Sequence, residues 1–353
     1  MSINLYAAIN TTGYGLASLN ILKAFAEAGV DIKYFSIENP LVTNQADYDT
    51  ILNILNNSLD FDPDAPCLKI WHQFDLASRI GRGKYYAYPF FELDVMNDIE
   101  KKHLSVPDEL IVSSDWAKNV LEDNGIRQKI NIAPLGVDRD IFNENTKIES
   151  TSDKYIFLTI GKWEVRKCHD ILPQLFKLAF PTEQDVELWI VASEQTSYSS
   201  LEDIQKWKSL YSDDIRFKVI PGVDTQQELA DIIQQSSCGI YIARAEGWNL
   251  ELLETMSMNK PAITTFYSAH TEFCNEKNAY LVDISELEKA YDGKAFTGQG
   301  RWAKIGQKQV EQTIEHMRYV YKNRINTNSA GVETAKIFSW QNTAKALSGC
   351  IIN

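Results

Sequence analysis

The stretch CGIYIARAEGWNLELLETMSM, residues 238–258, has the pattern of a buried strand, a turn and a helix. CGIYIA (238–243) is a continuous apolar run, which is typical of a strand in a parallel sheet that is covered on both faces. EGWN then turns the chain, and LELLETMSM reads as a helix that ends at Asn259 and Pro261. A strand followed directly by a helix favours βαβ units and therefore an α/β fold.

The same alternation recurs along the chain in two series. Apolar strand-like runs lie at 3–10, 67–72, 84–90, 109–114 and 130–136, and again at 155–161, 186–193, 215–222, 238–243 and 261–266. A polar segment rich in Asn, Ser and Thr, residues 138–154, separates the two series and reads as a linker. Two successive doubly wound units are the simplest architecture, and ligands in such sheets lie beyond the carboxyl ends of the strands.

Composition narrows the class of protein. The chain has 353 residues, which suits two domains, and its 44% hydrophobic and 24% charged content is typical of soluble globular proteins. Apolar runs are too short to span a bilayer, and the start of the chain lacks the pattern of a signal peptide. The five cysteines are dispersed, as expected for reduced thiols. We therefore expect a cytoplasmic protein without integral membrane association, and we leave its oligomeric state open.

The net charge of −13 bears on possible partners. An acidic surface repels nucleic acid and anionic lipid at long range. Arg79, Arg82 and Lys84 nevertheless form a local basic patch beside three tyrosines, and a solvated loop is the simpler interpretation of that patch. Nucleic acid is therefore a possible partner but not the expected one.

The turn after the strand at 238–243 has the features of an anion site. The unpaired amides at the predicted helix start, near Asn249 and Leu250, favour a phosphate. Glu246 in the turn and Glu254 in the helix could accept hydrogen bonds from sugar hydroxyls, so the site suits a phosphorylated polyol. The alternative is that Glu251 and Glu254 only complement the helix dipole.

A second stretch, TIGKWEVRKCHDILPQLF (159–176), strengthens the first interpretation. Lys162, Arg166 and Lys167 follow a predicted strand closely, at the edge of the sheet where an anionic ligand would lie. A diphosphate needs such compensation, and needs it more when it leaves as an anion. The alternative is a basic loop solvated at the surface.

Several motifs, in the same order along the chain, resemble those of the retaining glycosyltransferases of family 4. EGWNLELLE is similar to that family's glutamate–seven residues–glutamate motif, and IGKWEVRKCHD resembles its phosphate-binding loop. PLGVDRDIF (134–142) resembles the segment that joins its two domains, and KIFSWQNTAKAL (336–347) resembles its closing helix. These similarities cover residues 130–347.

The resemblance implies the GT-B fold, an α/β architecture of two doubly wound Rossmann-like domains that face each other across a cleft. Residues 1–136 would form the N-terminal, acceptor-side domain, and residues 137–335 the domain that binds the nucleotide sugar. Residues 336–353 would form a C-terminal helix that packs back on the first domain.

The resemblance also implies roles for the donor-side residues. Glu246 would contact the donor sugar, and Glu254 would contact the ribose. Lys162 and Lys167 would hold the diphosphate with Arg166 as a further candidate, and the amides of Asn249 and Leu250 would complete the site.

Three positions depart from the family's pattern. Asn249 and Asn259 stand where glycine is usual, and Glu251 stands where proline is usual. The first departure could narrow or redirect the sugar pocket, so the identity of the donor is open.

Residues after strands of the first domain are candidates for the rest of the site. His72 and Glu92 are predicted, with Glu246, to form the catalytic set that contacts the transferred sugar or the acceptor; each could instead be structural. Gly13 and Gly15 belong to an incomplete dinucleotide fingerprint and would let the backbone approach the ligand. His270 follows the strand at 261–266, where the family has a loop near the sugar pocket.

Together these features predict a retaining hexosyl- or glycosyltransferase of the EC 2.4 class. The donor would be a nucleotide-diphosphate sugar, most simply a UDP- or GDP-sugar, and the acceptor a glycan or another hydroxyl compound. No cofactor and no metal are expected, because the cations and the helix start supply the positive field. The alternatives are a transferase for hydroxymethylated DNA bases, a nucleotide-sugar epimerase of the same fold, or a sugar-nucleotide-binding protein without turnover.

Overall fold

A computed structural model describes residues 2–145, 153–192 and 200–352. Residues 146–152 of the predicted linker lie outside the described part of the chain. The elements of the N-terminal half are β1 (Ser2–Ala7), α1 (Gly13–Glu27), β2 (Asp31–Ser36), α2 (Gln45–Asn57), β3 (Cys67–Ile70), β4 (Tyr85–Ala87), α3 (Asp98–Leu104), β5 (Glu109–Val112), α4 (Asp115–Asp123) and β6 (Lys129–Ile132). They are followed by β7 (Tyr155–Ile160), α5 (Leu172–Ala179), β8 (Val186–Ala192), α6 (Leu201–Ser209), β9 (Phe217–Pro221), α7 (Gln226–Gln235), β10 (Cys238–Tyr241), α8 (Leu250–Ser257), β11 (Ala262–Phe266), α9 (His270–Phe273) and β12 (Tyr280–Asp283). The last elements are β13 (Leu287–Tyr291), β14 (Thr297–Ala303), α10 (Gln307–Lys322), α11 (Ser329–Ile337) and α12 (Trp340–Ile352).

The first compact unit contains the residues up to Asp138 together with the segment from Ile337 onward. Its six strands form a parallel sheet in the order β2-β1-β3-β4-β5-β6. The strand order reverses between β1 and β3, so the crevice that α/β sheets use for ligands lies at the carboxyl ends of these strands. Helix α12 packs against α1 within this unit.

The second unit comprises Arg139–Lys336. Its parallel sheet has the order β12-β11-β10-β7-β8-β9, so the order reverses between β7 and β10. The loops that follow β7 and β10 therefore meet at the carboxyl edge of this sheet. A separate two-stranded antiparallel sheet, β13-β14, follows β12 in the chain.

The buried strands explain why the apolar runs predicted the fold. All six residues of β7 are buried, because helices cover both faces of a parallel sheet. Gly239 in β10 allows α8 to pack closely, since a β-carbon there would lie 2.9 Å from Cγ2 of Thr255. Gly239 thus lets β10 and α8, the strand and the helix on either side of Glu246, lie close together.

The predicted fold class is confirmed: two parallel six-stranded sheets with flanking helices form an α/β protein. Each predicted strand-like run contains a strand, whereas β2, β12 and the hairpin β13-β14 had not been predicted. The predicted helix at 336–347 is interrupted, because α11 ends at Ile337 and α12 begins at Trp340. Ser339 lies at this break, and its hydroxyl accepts a hydrogen bond from the amide of Asn342 at 3.2 Å.

Among the described residues, no helix combines the length and the apolar character that crossing a bilayer requires.

Candidate functional site

Glu246 lies in the turn between β10 and α8, and its carboxylate sits between two cations. Nη1 of Arg166 lies 2.7 Å from Oε2 of Glu246, and Nζ of Lys167 lies 2.9 Å from Oε1. Both cations belong to the loop 162–171 that follows β7. The three side chains meet because β7 and β10 are neighbours in the sheet, and Glu246 is only 5% exposed.

The charges of this trio stabilise one another. Burial favours the neutral form of Glu246, but Arg166 and Lys167 outweigh it and lower the pKa of the carboxyl to about 2. Burial also disfavours the charged form of Lys167, and the carboxylates of Glu246 and Glu251 overcome this and raise its pKa. At neutral pH the site therefore holds an ionised carboxylate between two cations.

The two cations differ in how many of their donors the protein uses. Arg166 donates through Nε and Nη2 to Glu164, at 3.0 and 2.9 Å, and through Nη1 to the carbonyl of Ala245 at 2.8 Å as well as to Glu246. Lys167 has Glu246 as its close partner, and Glu251 lies 4.0 Å away. Since an ammonium group carries three N–H donors, Lys167 retains more capacity for a ligand than Arg166 does.

Asn249 starts helix α8 in a left-handed conformation, with φ at 81°. Its Oδ1 accepts from the amide of Leu252 at 3.2 Å, so the side chain caps the helix. Its Nδ2 lies 2.9 Å from Nε2 of His270. These two bonds explain how asparagine occupies a position at which glycine is usual in the family that the sequence resembles.

His270 is fully buried behind the cap and is neutral. Its Nδ1 lies 2.9 Å from the carbonyl of Thr265, which can only accept, so Nδ1 carries the proton and Nε2 accepts from Asn249. Burial lowers the pKa of His270 to about 4, although the charge of Glu246 acts in the opposite direction. His270 therefore supports the start of α8 through Asn249.

The sequence analysis missed Arg244, which holds the loop 162–171 against β10. Its guanidinium donates to both oxygens of Asp170, at 3.0 and 2.9 Å, to the carbonyl of Val165, and to Sγ of Cys168 at 3.3 Å. Its amide donates to the carbonyl of Arg166 at 2.7 Å. An arginine directly after a buried apolar strand was the available signal, because a buried guanidinium requires partners.

The hairpin that the sequence analysis also missed contacts Arg244 from the other side. The amide of Ala303 donates to the carbonyl of Arg244 at 2.8 Å, and Glu288 lies 3.5 Å from its Nε. The guanidinium also lies over the ring of Trp302, 5.8 Å from the ring centroid. Strands β13 and β14 thus fix the residue that positions the cationic loop.

The remaining predicted donor-side residues lie on the same edge of the second unit. Lys162 follows β7 and is partly exposed; among the described residues, no carboxylate lies within 4.0 Å of its ammonium group. Gly161 before it makes room for Lys167, since a β-carbon there would lie 3.1 Å from Cδ of that lysine. Leu250 is the first residue of α8, and Glu254 is buried in its second turn.

In the first unit, the predicted residues lie at the carboxyl ends of β1, β3 and β4. Gly13 begins α1, where a β-carbon would meet no atom, whereas at Gly15 it would lie 2.2 Å from the amide nitrogen of Asn10. Gly15 therefore serves the packing of the chain on itself, and Gly13 borders open space. His72 and Glu92 follow β3 and β4 and are half-buried.

The basic patch does not present three unbalanced cations. Arg82 forms two hydrogen bonds with Asp64, at 2.6 and 2.8 Å, and Lys84 pairs with Glu109 at 2.5 Å. Because Lys84 directly precedes β4, the patch lies at the amino edge of the sheet, opposite the edge that carries His72. The geometry therefore does not favour a nucleic-acid site here.

Within the described ranges, no group of three or more His, Cys, Asp or Glu side chains is arranged to hold a metal ion.

Comparisons with known proteins agree with the geometry. Residues 154–292 match the family model described as Glycosyl transferases group 1. Sucrose-phosphate synthase from Thermosynechococcus elongatus superposes with a TM-score of 0.71 at 14% identity, covering 99% of this chain and 98% of that one. A glycosyltransferase from Rickettsia africae gives 0.71 at 13% identity, covering 99% and 97%. HepE from Anabaena, in complex with UDP and glucose, gives 0.69 at 11% identity, covering 100% and 99%.

No curated protein sequence matches the chain. At the identities of the solved structures, the likeness establishes the fold, which is GT-B, and the family match covers most of the second unit.

Proposed function

We propose that this protein is a retaining glycosyltransferase that moves a sugar from a nucleotide-diphosphate sugar to an acceptor hydroxyl. The observation that carries the proposal is the buried, ionised Glu246, which Arg166 and Lys167 hold beside the start of α8. A carboxylate fixed in this way accepts hydrogen bonds from sugar hydroxyls, and the amides of a helix start bind phosphate.

The contacts suggest that Arg166 has a different role from Lys162 and Lys167. The N–H groups of Arg166 already contact Glu164, the carbonyl of Ala245 and Glu246. We therefore assign Arg166 to orienting Glu246. Lys167 and Lys162 are then the side chains that bind the diphosphate. Glu254, further along α8, would accept from the hydroxyls of the ribose.

The comparisons support the substrate class. The matched family is described as glycosyl transferases, and the Anabaena structure with the same fold holds UDP and glucose. A UDP- or GDP-sugar is accordingly the proposed donor, and a glycan hydroxyl the proposed acceptor.

In the proposed reaction, the acceptor oxygen forms a bond with the anomeric carbon on the face from which the diphosphate departs. The bond between the anomeric carbon and the phosphate oxygen breaks, and that oxygen takes the proton of the acceptor hydroxyl. Negative charge then grows on the diphosphate, and Lys162, Lys167 and the start of α8 stabilise it. The configuration at the anomeric carbon is retained, and the protein acts mainly by positioning its substrates.

The same positive groups make metal independence part of the proposal. They supply the charge that a divalent cation would otherwise contribute at the diphosphate. Turnover should therefore persist in EDTA, and strict dependence on added Mg²⁺ or Mn²⁺ would contradict this part.

In the first unit, we assign His72 and Glu92 to contacts with the transferred sugar or the acceptor. Gly13 leaves space for a ligand to approach the backbone at the start of α1.

A panel of UDP-, GDP-, ADP- and CDP-sugars tests the proposal through thermal shift and release of the nucleoside diphosphate. We expect one donor to stabilise the protein and to be transferred or slowly hydrolysed. Lys162→Ala should weaken binding of this donor at least tenfold, because a charge-assisted hydrogen bond to phosphate is lost. Lys154→Ala is the matched control, since Lys154 precedes the same strand at its opposite end and pairs with Glu187. Formation of an isomer would indicate an epimerase, and binding without turnover would indicate a non-catalytic protein.

A further inference from the structure

An aromatic cluster lies at the carboxyl edge of the sheet in the first unit. Its members are Tyr14, Trp71, His72, Phe74 and Phe90, which follow the adjacent strands β1, β3 and β4. The rings of Tyr14 and His72 lie 4.4 Å apart, and those of His72 and Phe74 lie 5.0 Å apart with planes only 8° from parallel. Trp71 and Phe90 flank them, 4.9 Å from His72 and Tyr14 respectively.

Two hydrogen bonds hold the inner end of this cluster. The hydroxyl of Tyr14 donates to the carbonyl of Phe90 at 2.7 Å and accepts from the amide of the same residue at 2.7 Å. This closed pair of bonds ties α1 to the segment after β4. Tyr14 is thereby anchored at the point where its ring contacts that of His72.

The outer end is open. Phe74 is 46% exposed although one face of its ring is stacked on His72. The exposed face of Phe74 lies at the edge of the sheet where α/β folds bind their ligands, and an aromatic ring there offers an apolar surface to a ligand.

Two carboxylates near the cluster, Glu92 and Glu38, favour a neutral hydroxyl-bearing ligand over an anionic one. Glu92 lies close enough to Tyr14 that its charge, after burial, raises the pKa of that hydroxyl. Glu38 accepts a hydrogen bond from the side-chain Nδ2 of Asn10, in the loop that leads into α1. Carboxylates accept from hydroxyl groups and repel phosphates.

We propose that the ring ladder Tyr14–His72–Phe74 is the acceptor platform and binds a neutral pyranose of an oligosaccharide. The apolar face of the sugar would lie on Phe74, and its hydroxyls would point to the carboxylates, as in sites that combine aromatic walls with a few polar groups. The inference rests on the proposed glycosyl transfer for the role of the platform, but binding itself can be measured without a donor.

The test is saturation-transfer NMR and calorimetry with maltotriose, cellotriose and isomaltotriose, with glucose 6-phosphate as the anionic probe. At least one neutral trisaccharide should bind the wild-type protein at millimolar concentration, and Phe74→Ala should weaken it about tenfold through the lost stacking. Tyr48→Ala is the matched control, because Tyr48 is a comparably exposed ring on α2 of the same unit.

The outcomes separate the two proposals. Binding of a trisaccharide that depends on Phe74 supports the platform whether or not any donor is hydrolysed. Absence of donor hydrolysis and transfer would count against the proposed glycosyl transfer. The platform is overturned if no trisaccharide binds, if Phe74→Ala binds as well as wild type, or if only glucose 6-phosphate binds.

Discussion

The guanidinium of Arg244 and the carboxylate of Asp170 form a two-point contact, with Nη1 and Nη2 lying 3.0 and 2.9 Å from the two oxygens. The contact links the end of β10 to the loop after β7, which carries Lys162 and Lys167. The position of the cations therefore depends on a residue that does not itself need to touch the ligand.

Arg244→Lys should loosen this loop, because a lysine cannot reproduce a planar, two-point contact and also reach the carbonyl of Val165. We expect the KM for the donor to rise about tenfold or more, since small displacements in a site have large effects on binding and rate. Arg216→Lys is the control: Arg216 is equally buried and contacts Asp214 in the same manner, but at the start of β9. Equal effects of the two substitutions on the KM would contradict the positioning role.

Glu246→Gln should destabilise the protein and not only inactivate it. The substitution leaves Arg166 and Lys167 buried without their shared anion, and breaking a buried pair in this way costs about 3–5 kcal/mol. Urea unfolding measures this loss. Inorganic pyrophosphate should raise the melting temperature of the variant more than that of the wild type, because the anion replaces the missing charge. Glu251→Gln, which removes a partly exposed carboxylate 4.0 Å from Lys167, should have a much smaller effect.

The same carboxylate predicts how stability depends on pH. The pKa of Glu246 falls from 4.5 to about 2 on folding, so its contribution is complete above pH 4.5 and is lost as the pH falls toward 2. This difference corresponds to about 3 kcal/mol. Wild type should therefore exceed Glu246→Gln in unfolding free energy at about pH 6, and the gap should narrow at about pH 3. A gap that does not change with pH would mean that Glu246 is not ionised in the folded protein.

The sequence was sufficient to predict the fold where burial is continuous. Runs such as YIFLTI and CGIY have every residue buried, so their apolar pattern identifies them as central strands. Strand β2 at the edge of its sheet was missed, since only two of its six residues are buried and it carries Asp31 and Lys33. The hairpin β13-β14 is mostly polar, and neither its pairing nor its contact with Arg244 follows from a local apolar pattern.

The sequence predicted which side chains share one edge of the second sheet, but not the hydrogen bonds among them. Motif spacing brought Glu246, Arg166 and Lys167 to one edge of the sheet, because adjacent parallel strands end there. Arg166 donates its hydrogen bonds to protein groups, and this depends on side-chain geometry that motif spacing does not encode. The assigned roles of these residues, and of His72 and Glu92, stay predictions until they are tested.

Asn249 allows a last prediction that separates backbone strain from side-chain bonding. Asn249→Ala loses the cap of α8 and the bond to Nε2 of His270, and it also places an alanine at a φ of 81°, which costs about 1–2 kcal/mol. Asn249→Gly loses the same two bonds without this strain. We therefore expect urea unfolding to rank the three proteins as wild type, glycine variant and alanine variant, with the last two about 1 kcal/mol apart. Equal stability of the two variants would show that the left-handed conformation is not maintained, and an alanine variant more stable than the glycine variant would contradict it outright.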